Sequence, residues 1–214
     1  IGFIILAPLT YSLREPIFVD RSKVPILIIV GIISVCLIAS TYHAIGYISI
    51  ALVLMIIYLF PIGVALITTI KGEEHLSRTQ WLSIIGVLLG LGILILDKPS
   101  ETSFYGVFIS AVGLLLFIAF IYYTGKLVDE IGSVTINLQL SFFSVILLII
   151  YIVFVPVELT LPSNNYGWLG IIGNGMFYVL SYVLFFIGSK AIGITTASVL
   201  ALTEPLFATI VALF

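Results

Sequence analysis

Long apolar runs separated by short polar breaks make up this chain from end to end. Seven runs stand out, at 25–43, 47–70, 80–96, 104–125, 134–155, 167–188 and 194–214. Each approaches the about 20 residues a helix needs to cross about 30 Å of hydrocarbon. An eighth run, 1–9, is too short to span. The breaks carry turn residues: Glu15-Pro16, Asp97-Lys98-Pro99-Ser100 and Pro162-Ser163-Asn164-Asn165. The runs are unbroken, not alternating in strips of about 10 residues as in a membrane β-barrel. They predict helices, which satisfy every backbone group internally. The expected fold is an all-α membrane protein, a polytopic helical bundle. The chain starts with Ile in an apolar run and ends in ATIVALF without a polar stop, so both ends are expected to lie inside helices of a longer protein.

Composition agrees with that pattern. Hydrophobic residues make up 62% of the 214, charged residues 8%, and the mean hydropathy is +1.34. A soluble domain has about 25% charged residues. A net charge of −2 offers no basic footprint for phosphates, so nucleic acid is not an expected partner. The single cysteine, Cys36, provides neither a disulfide framework nor a thiolate zinc site. His43 and His75 are widely separated and do not make a metal site, and no cofactor is expected.

Charge also sets an orientation. Loops 10–24, 71–79, 126–133 and 189–193 fall on one side and hold Arg14, Arg21, Lys23, Lys71, Arg78, Lys126 and Lys190. The other side holds only Lys98. Lys and Arg favour the cytoplasmic side, so the first group is expected inside.

A shift of 144 residues aligns 24–70 with 168–214. Gly31, Ile48 and Pro61 fall on Gly175, Ile192 and Pro205. Six identities in 47 positions are close to chance in so Ile/Leu-rich a chain. The layout says more: two runs, a tight turn and a proline deep in the second run occur twice, in opposite orientation. Inverted repeats are typical of secondary transporters, with the cargo site near the midplane. Two five-helix repeats of this length imply about 290 residues and ten spans. On that count 1–96 is the remainder of a first repeat, missing its first helix and most of its second, and 104–214 is a second repeat missing its last helix.

The stretch Ala44-Ile45-Gly46-Tyr47-Ile48-Ser49, then Pro61, then Gly72-Glu73-Glu74-His75-Leu76-Ser77-Arg78-Thr79-Gln80-Trp81 and Gly86, resembles the first repeat of an EamA-type transporter. Ile192-Gly193-Ile194-Thr195-Thr196-Ala197-Ser198 with Glu204-Pro205 resembles the matching part of the second. The resemblance implies a ten-helix inner-membrane carrier of the drug/metabolite transporter superfamily. It implies gradient-coupled export of small metabolites by alternating access. Where many members have Asn-Pro in the first repeat, this chain has Phe60-Pro61.

Glu204 is the one acidic residue deep in a run, and an ionisable group there is a functional candidate by default. Its neutral form is the cheaper one in hydrocarbon, which makes it the candidate proton carrier; the competing role is to bond backbone freed by Pro205. Pro61 and Pro205 each remove a helical hydrogen bond and are expected to kink their runs. Asn174, Tyr178, Ser181 and Tyr182 share one helical face. In the counterpart run Gly31, Ser34, Ile38 and Thr41 have similar spacing. Ser110, Gly113, Phe117 and Thr124 lie close to one face of 104–125, and Tyr58 sits near Pro61. Ser34, Thr41, Tyr58, Ser110, Phe117, Asn174, Tyr178 and Tyr182 are therefore the candidate cargo contacts, the alternative being interhelical packing. Gly86 and Gly90 predict close helix packing.

Three function classes compete. A carrier fits the repeat, the paired prolines and the deep carboxylate. An intramembrane enzyme needs a converging Ser–His, paired-Asp or H-E-x-x-H set, and the runs contain none. A structural or partner-binding subunit needs no carboxylate at mid-membrane. The expected partners are a small, partly apolar cargo such as an amino acid or nucleobase, protons, and the lipid bilayer.

Overall fold

The computed structural model describes residues 2–12, 14–73, 77–96, 103–154, 161–204 and 207. Among them the chain is helical, with no strand: α1 (Gly2–Ser12), α2 (Val24–Ile45), α3 (Ile50–Ile57), α4 (Phe60–Ile70), α5 (Arg78–Leu96), α6 (Phe104–Ile131), α7 (Ser133–Phe154), α8 (Asn165–Ile192) and α9 (Ile194–Ala201). A 3-10 turn at Arg21–Lys23 leads into α2. Five stretches are long and apolar enough to cross a membrane: Arg21–Ile45, Ile50–Ile70, Phe104–Ile131, Ser133–Phe154 and Asn165–Ile192. The chain is an all-α, multi-pass membrane protein.

Side chains at the breaks supply the donors and acceptors that helix ends lack. Ser49, Ser103 and Asn164 accept from Leu52, Gly106 and Gly167 backbone N–H groups at the starts of α3, α6 and α8. Ser77 and Gln80 form a reciprocal capping box at α5: Gln80 N–H donates to Ser77 Oγ at 3.2 Å, and Ser77 N–H donates to Gln80 Oε1 at 2.8 Å.

Two expected loops are shorter than the hydropathy pattern implies. Of 126–133, residues up to Ile131 continue α6, and Ser133 already opens α7. Of 189–193, residues up to Ile192 continue α8. Charged residues near a helix end do not stop the helix; Gly132 (φ +105°) and Gly193 (φ +86°) do, with backbone angles other residues rarely adopt. The loop at 97–102 lies outside the described residues.

The chain folds into two compact units. In the first (Ile1–Val35 and Tyr123–Lys190), Leu6, Val134, Leu138 and Val183 form a buried cluster where α1 packs on α7. The polar link between α1 and α2 is pinned to the start of α7. Glu15 Oε2 accepts from Val134 N–H (3.1 Å), Thr135 N–H (2.9 Å) and Thr135 Oγ1 (3.1 Å). A carboxylate suits a helix N-terminus, where free N–H groups and the dipole favour negative charge. Thr135 Oγ1 can donate instead to Pro16 O (2.7 Å), and Gln139 Nε2 donates to Ile17 O (2.7 Å). Asn137 Nδ2 donates to Ser133 O, so both Asn137 and Gln139 serve backbone groups. Lys23 pairs with Glu130 at the surface.

In the second unit (Cys36–Tyr122 and Ala191–Phe214), Leu37, Ala44, Ile48, Val53 and Ile57 form the core, with α6 side chains from Val107 to Phe117 against them. His43, Tyr47 and Tyr105 gather at one end, with ring centroids 4.9–6.1 Å apart in edge-to-face arrangements. At the other end Tyr122 Oη donates to the Glu73 carboxylate (2.9 Å) while Lys71 lies 4.6 Å over the Tyr122 ring. Glu73 is thus tied to α6 and is not a merely solvated turn residue. Gly86 meets nothing within 4 Å, so the close packing expected at Gly86–Gly90 is not made at Gly86.

Glu15→Ala is expected to destabilise the detergent-solubilised protein by about 2 kcal/mol, because three donors lose a charged acceptor. Glu130→Gln, at an exposed pair, is expected to cost less than about 1 kcal/mol. Equal losses in thermal unfolding would refute the assignment of Glu15 as the tie.

Candidate functional site

A membrane helix that contains proline must satisfy, by other means, the carbonyl four residues earlier. The second span shows how this chain does so. α3 ends at Ile57, Tyr58 and Leu59 form a turn, and α4 begins at Phe60 with Pro61 in its first turn. Tyr58 N–H donates to Leu54 O at 2.8 Å, and Leu59 N–H donates three residues back to Ile56 O at 3.1 Å. The expected kink is therefore a full break, with Pro61 placed where its missing N–H costs least.

The same break recurs at the same register. Adding 144 to Ile50–Ile57 gives Ile194–Ala201, the observed bounds of α9. Leu202 and Thr203 then form a turn, as Tyr58 and Leu59 do. Thr203 N–H donates to Leu200 O at 3.0 Å, the counterpart of Leu59 to Ile56. The Thr203 hydroxyl adds a bond to the same carbonyl (2.8 Å). Ser49, which starts α3, corresponds to Gly193, which precedes α9. Pro205 itself lies outside the described residues.

The two breaks meet inside the second unit. Glu204, first residue past one break, lies close enough to Tyr58, in the turn of the other, to interact with its hydroxyl. Among the described residues, the neighbour of the deep carboxylate is thus a phenol. Glu204 is exposed, not enclosed by packed side chains, so depth along the run does not mean burial in protein. Around the first break, Phe60 packs on Phe117 with centroids 4.4 Å apart. Gly63 faces the Ile118 side chain so closely that no Cβ fits between them. This glycine serves close helix approach.

Of the other predicted contacts in this unit, Thr41 is half-buried and donates to Leu37 O (2.8 Å). Its neighbour Ser40 lies against Gly113, next to Ile57. Ser110 is buried and donates to Gly106 O (2.9 Å). In the first unit, Ser34 is buried, Asn174 and Tyr178 are exposed and Tyr182 is half-buried. The Tyr178 and Tyr182 rings are 5.0 Å apart, and Tyr182 stacks on Phe186 at 6.3 Å. Phe186 completes the i, i+4, i+8 ladder; its spacing carried the signal, but its apolar character kept it off the polar stripe. A recess of about 450 Å³ over Tyr11, Ser12, Arg14, Glu15 and Ile17 contains none of the predicted contacts.

Sequence reasoning also missed the polar ties of α9. Thr68 Oγ1 lies 2.8 Å from Thr195 Oγ1, and Gln80 Nε2 donates to Thr196 Oγ1 at 3.0 Å. Threonines near helix ends read as boundary residues, and nothing along one chain reveals that two of them touch.

The described residues thus hold two register-matched breaks on a multi-pass helical scaffold. Residues 1–96 match the model of the EamA-like transporter family. That family is one of transporters, not of enzymes. No curated protein and no solved structure matches the chain.

Gly63→Ala is expected to lower stability by about 1–3 kcal/mol through overpacking. Ile118→Ala in the same chain should recover much of that loss. Thermal unfolding of the two variants checks this, and a double variant no better than Gly63→Ala would refute the close contact.

Proposed function

We propose that the protein is a gradient-coupled exporter of small metabolites working by alternating access, with Glu204 as its proton carrier and Tyr58 as the partner of that carboxyl. The observation that carries the reading is the meeting of the two register-matched breaks at Tyr58 and Glu204. Broken helices at corresponding places in two repeats are where carriers bind cargo and coupling ions. The family match over 1–96, the span assigned to the first repeat, supports the same reading.

The cargo is proposed to be a small, partly apolar metabolite of the amino-acid or nucleobase kind. Asn174, Tyr178 and Tyr182 would offer it hydrogen bonds and aromatic faces. Thr41 and Phe117 would form wall near the first break, with Ser110 behind. The loops rich in Lys and Arg are proposed to be cytoplasmic, and the membrane to be the cell membrane.

The test is flux from liposomes holding the full-length protein and loaded with radiolabelled amino acids or nucleobases, with and without a pH gradient. Saturable release accelerated by the gradient is expected. Glu204→Gln should abolish the acceleration, and Tyr58→Phe should reduce it by about tenfold or less, the worth of one hydrogen bond. Gradient dependence unchanged in Glu204→Gln would remove the proton role. In the same assay Tyr178→Ala should weaken cargo affinity more than Leu184→Ala, at another exposed position of α8. Equal effects would leave the α8 stripe a packing feature.

A further inference from the structure

We infer that Thr68, Thr195, Thr196 and Gln80 form a latch that closes one end of the second unit and must open during transport. The geometry begins with the breaks. The chain passes the first break leaving α3 for α4, and reaches the second from α9. Because the two spans run in opposite directions in the inverted repeat, α4 and α9 are the halves on the same side of their breaks. Lys71 follows α4 and Arg78 begins α5 on that side, which the charge bias assigns to the cytoplasm. α4 packs against α9, and α5 packs against α9.

Polar contacts join these halves. Thr68 and Thr195 are 1% and 2% exposed, and their hydroxyls are 2.8 Å apart. Thr68 also has its own helix's Val64 and Ala65 carbonyls within reach at 3.1 Å, so its hydroxyl has a donor's alternative when the clasp parts. Gln80 is pre-oriented: its Oε1 is held by Ser77 N–H in the capping box, which leaves Nε2 aimed at Thr196. Hydroxyl and amide bonds between membrane helices are weak enough to break in a working cycle. One turn beyond Thr195 toward the break, the Ser198 hydroxyl is fully buried and has no hydrogen-bond partner among the described residues. An unpaired buried hydroxyl disfavours the closed state and gains partners once water enters. The latch and Ser198 thus oppose each other across one helical turn, and such a balance gives a gate two accessible states. The matched turns at 58–59 and 202–203 are the points about which the halves can pivot.

This inference rests on the carrier reading for its place in transport, but the latch is testable without flux. Ser198→Cys in a Cys36→Ser background of the full-length protein places a single thiol behind the clasp. Its reaction with a small water-soluble methanethiosulfonate is followed in inside-out membrane vesicles. Thr195→Val or Gln80→Leu, each removing latch bonds with little change of volume, should speed labelling by about tenfold. Thr68→Cys with Thr195→Cys in the same Cys36→Ser background should form a disulfide on oxidation and, with an unchanged Ser198, stop flux until reduced. Labelling unchanged in variants that still fold by thermal unfolding, or thiols that do not pair, would overturn the latch. Faster labelling in a protein without saturable flux would leave the latch standing and count against the carrier reading. Normal flux with no labelling change would do the reverse.

Discussion

Proline within a membrane helix leaves one carbonyl without its N–H donor, and hydrocarbon offers no water in exchange. At Pro61 this chain places a two-residue turn, the second residue with a 3-10 hydrogen bond, then a fresh helix that begins just before the proline. The break divides one long span into α3 and α4. It also sets which side chains stand at mid-span with backbone that can move. Tyr58 is one of them, since it occupies the turn. The aromatic stack of Phe60 on Phe117 and the tight seat of Gly63 on Ile118 then hold the start of α4 against α6. A break without such packing would be a weak point; with it, the break is a defined joint.

The two joints share a register 144 residues apart. Sequence identity between the matched segments is near chance, yet α3 and α9 have corresponding bounds and their turns share one bond, Leu59 to Ile56 and Thr203 to Leu200. What is retained is the place of the backbone interruption, which depends on a proline and little else. Side chains around it are free to differ. Tyr58 corresponds to Leu202 and Phe60 to Glu204, so each half contributes one polar group and one apolar group at the break, in opposite order. The polar pair is thus built from both matched segments, and neither segment alone contains it.

Much of the fold was legible because the pattern of apolar runs reports it directly. The helices α2, α6, α7 and α8 fall on predicted runs, and the span at 47–70 is there, broken at its proline. Helix ends were less legible. Lys126 and Lys190 looked like loop residues, but a lysine at a span's end can extend its charge to the surface while its backbone stays helical. Glycine with positive φ, not charge, marks the stops. Long-range polar contacts were not legible at all. Glu15 reads as a turn residue before Pro16, and only the fold shows it on the N-terminus of α7. Glu204 could be singled out by depth, and Tyr58 by nearness to Pro61, but their meeting depends on how α3 and α9 approach, which no local pattern encodes.

The identity of Glu204's partner bears on what the pair can do. A lysine or arginine beside a mid-membrane carboxylate would hold it charged and resist proton uptake. A phenol, which has no charge, does so far less. The Tyr58 hydroxyl can donate to the carboxylate, and it can accept from the carboxylic acid once a proton is bound. Under the proposed role, either state would leave a hydrogen bond available between the two breaks. A charged bond is roughly twice as strong as a neutral one. Under the proposed role, protonation would loosen the tie between the joints at mid-span. The hydroxyl clasp of Thr68 and Thr195 would still govern the end of the same two helices. A carrier that must open alternately needs two such controls of different chemistry, one that senses the proton and one that does not.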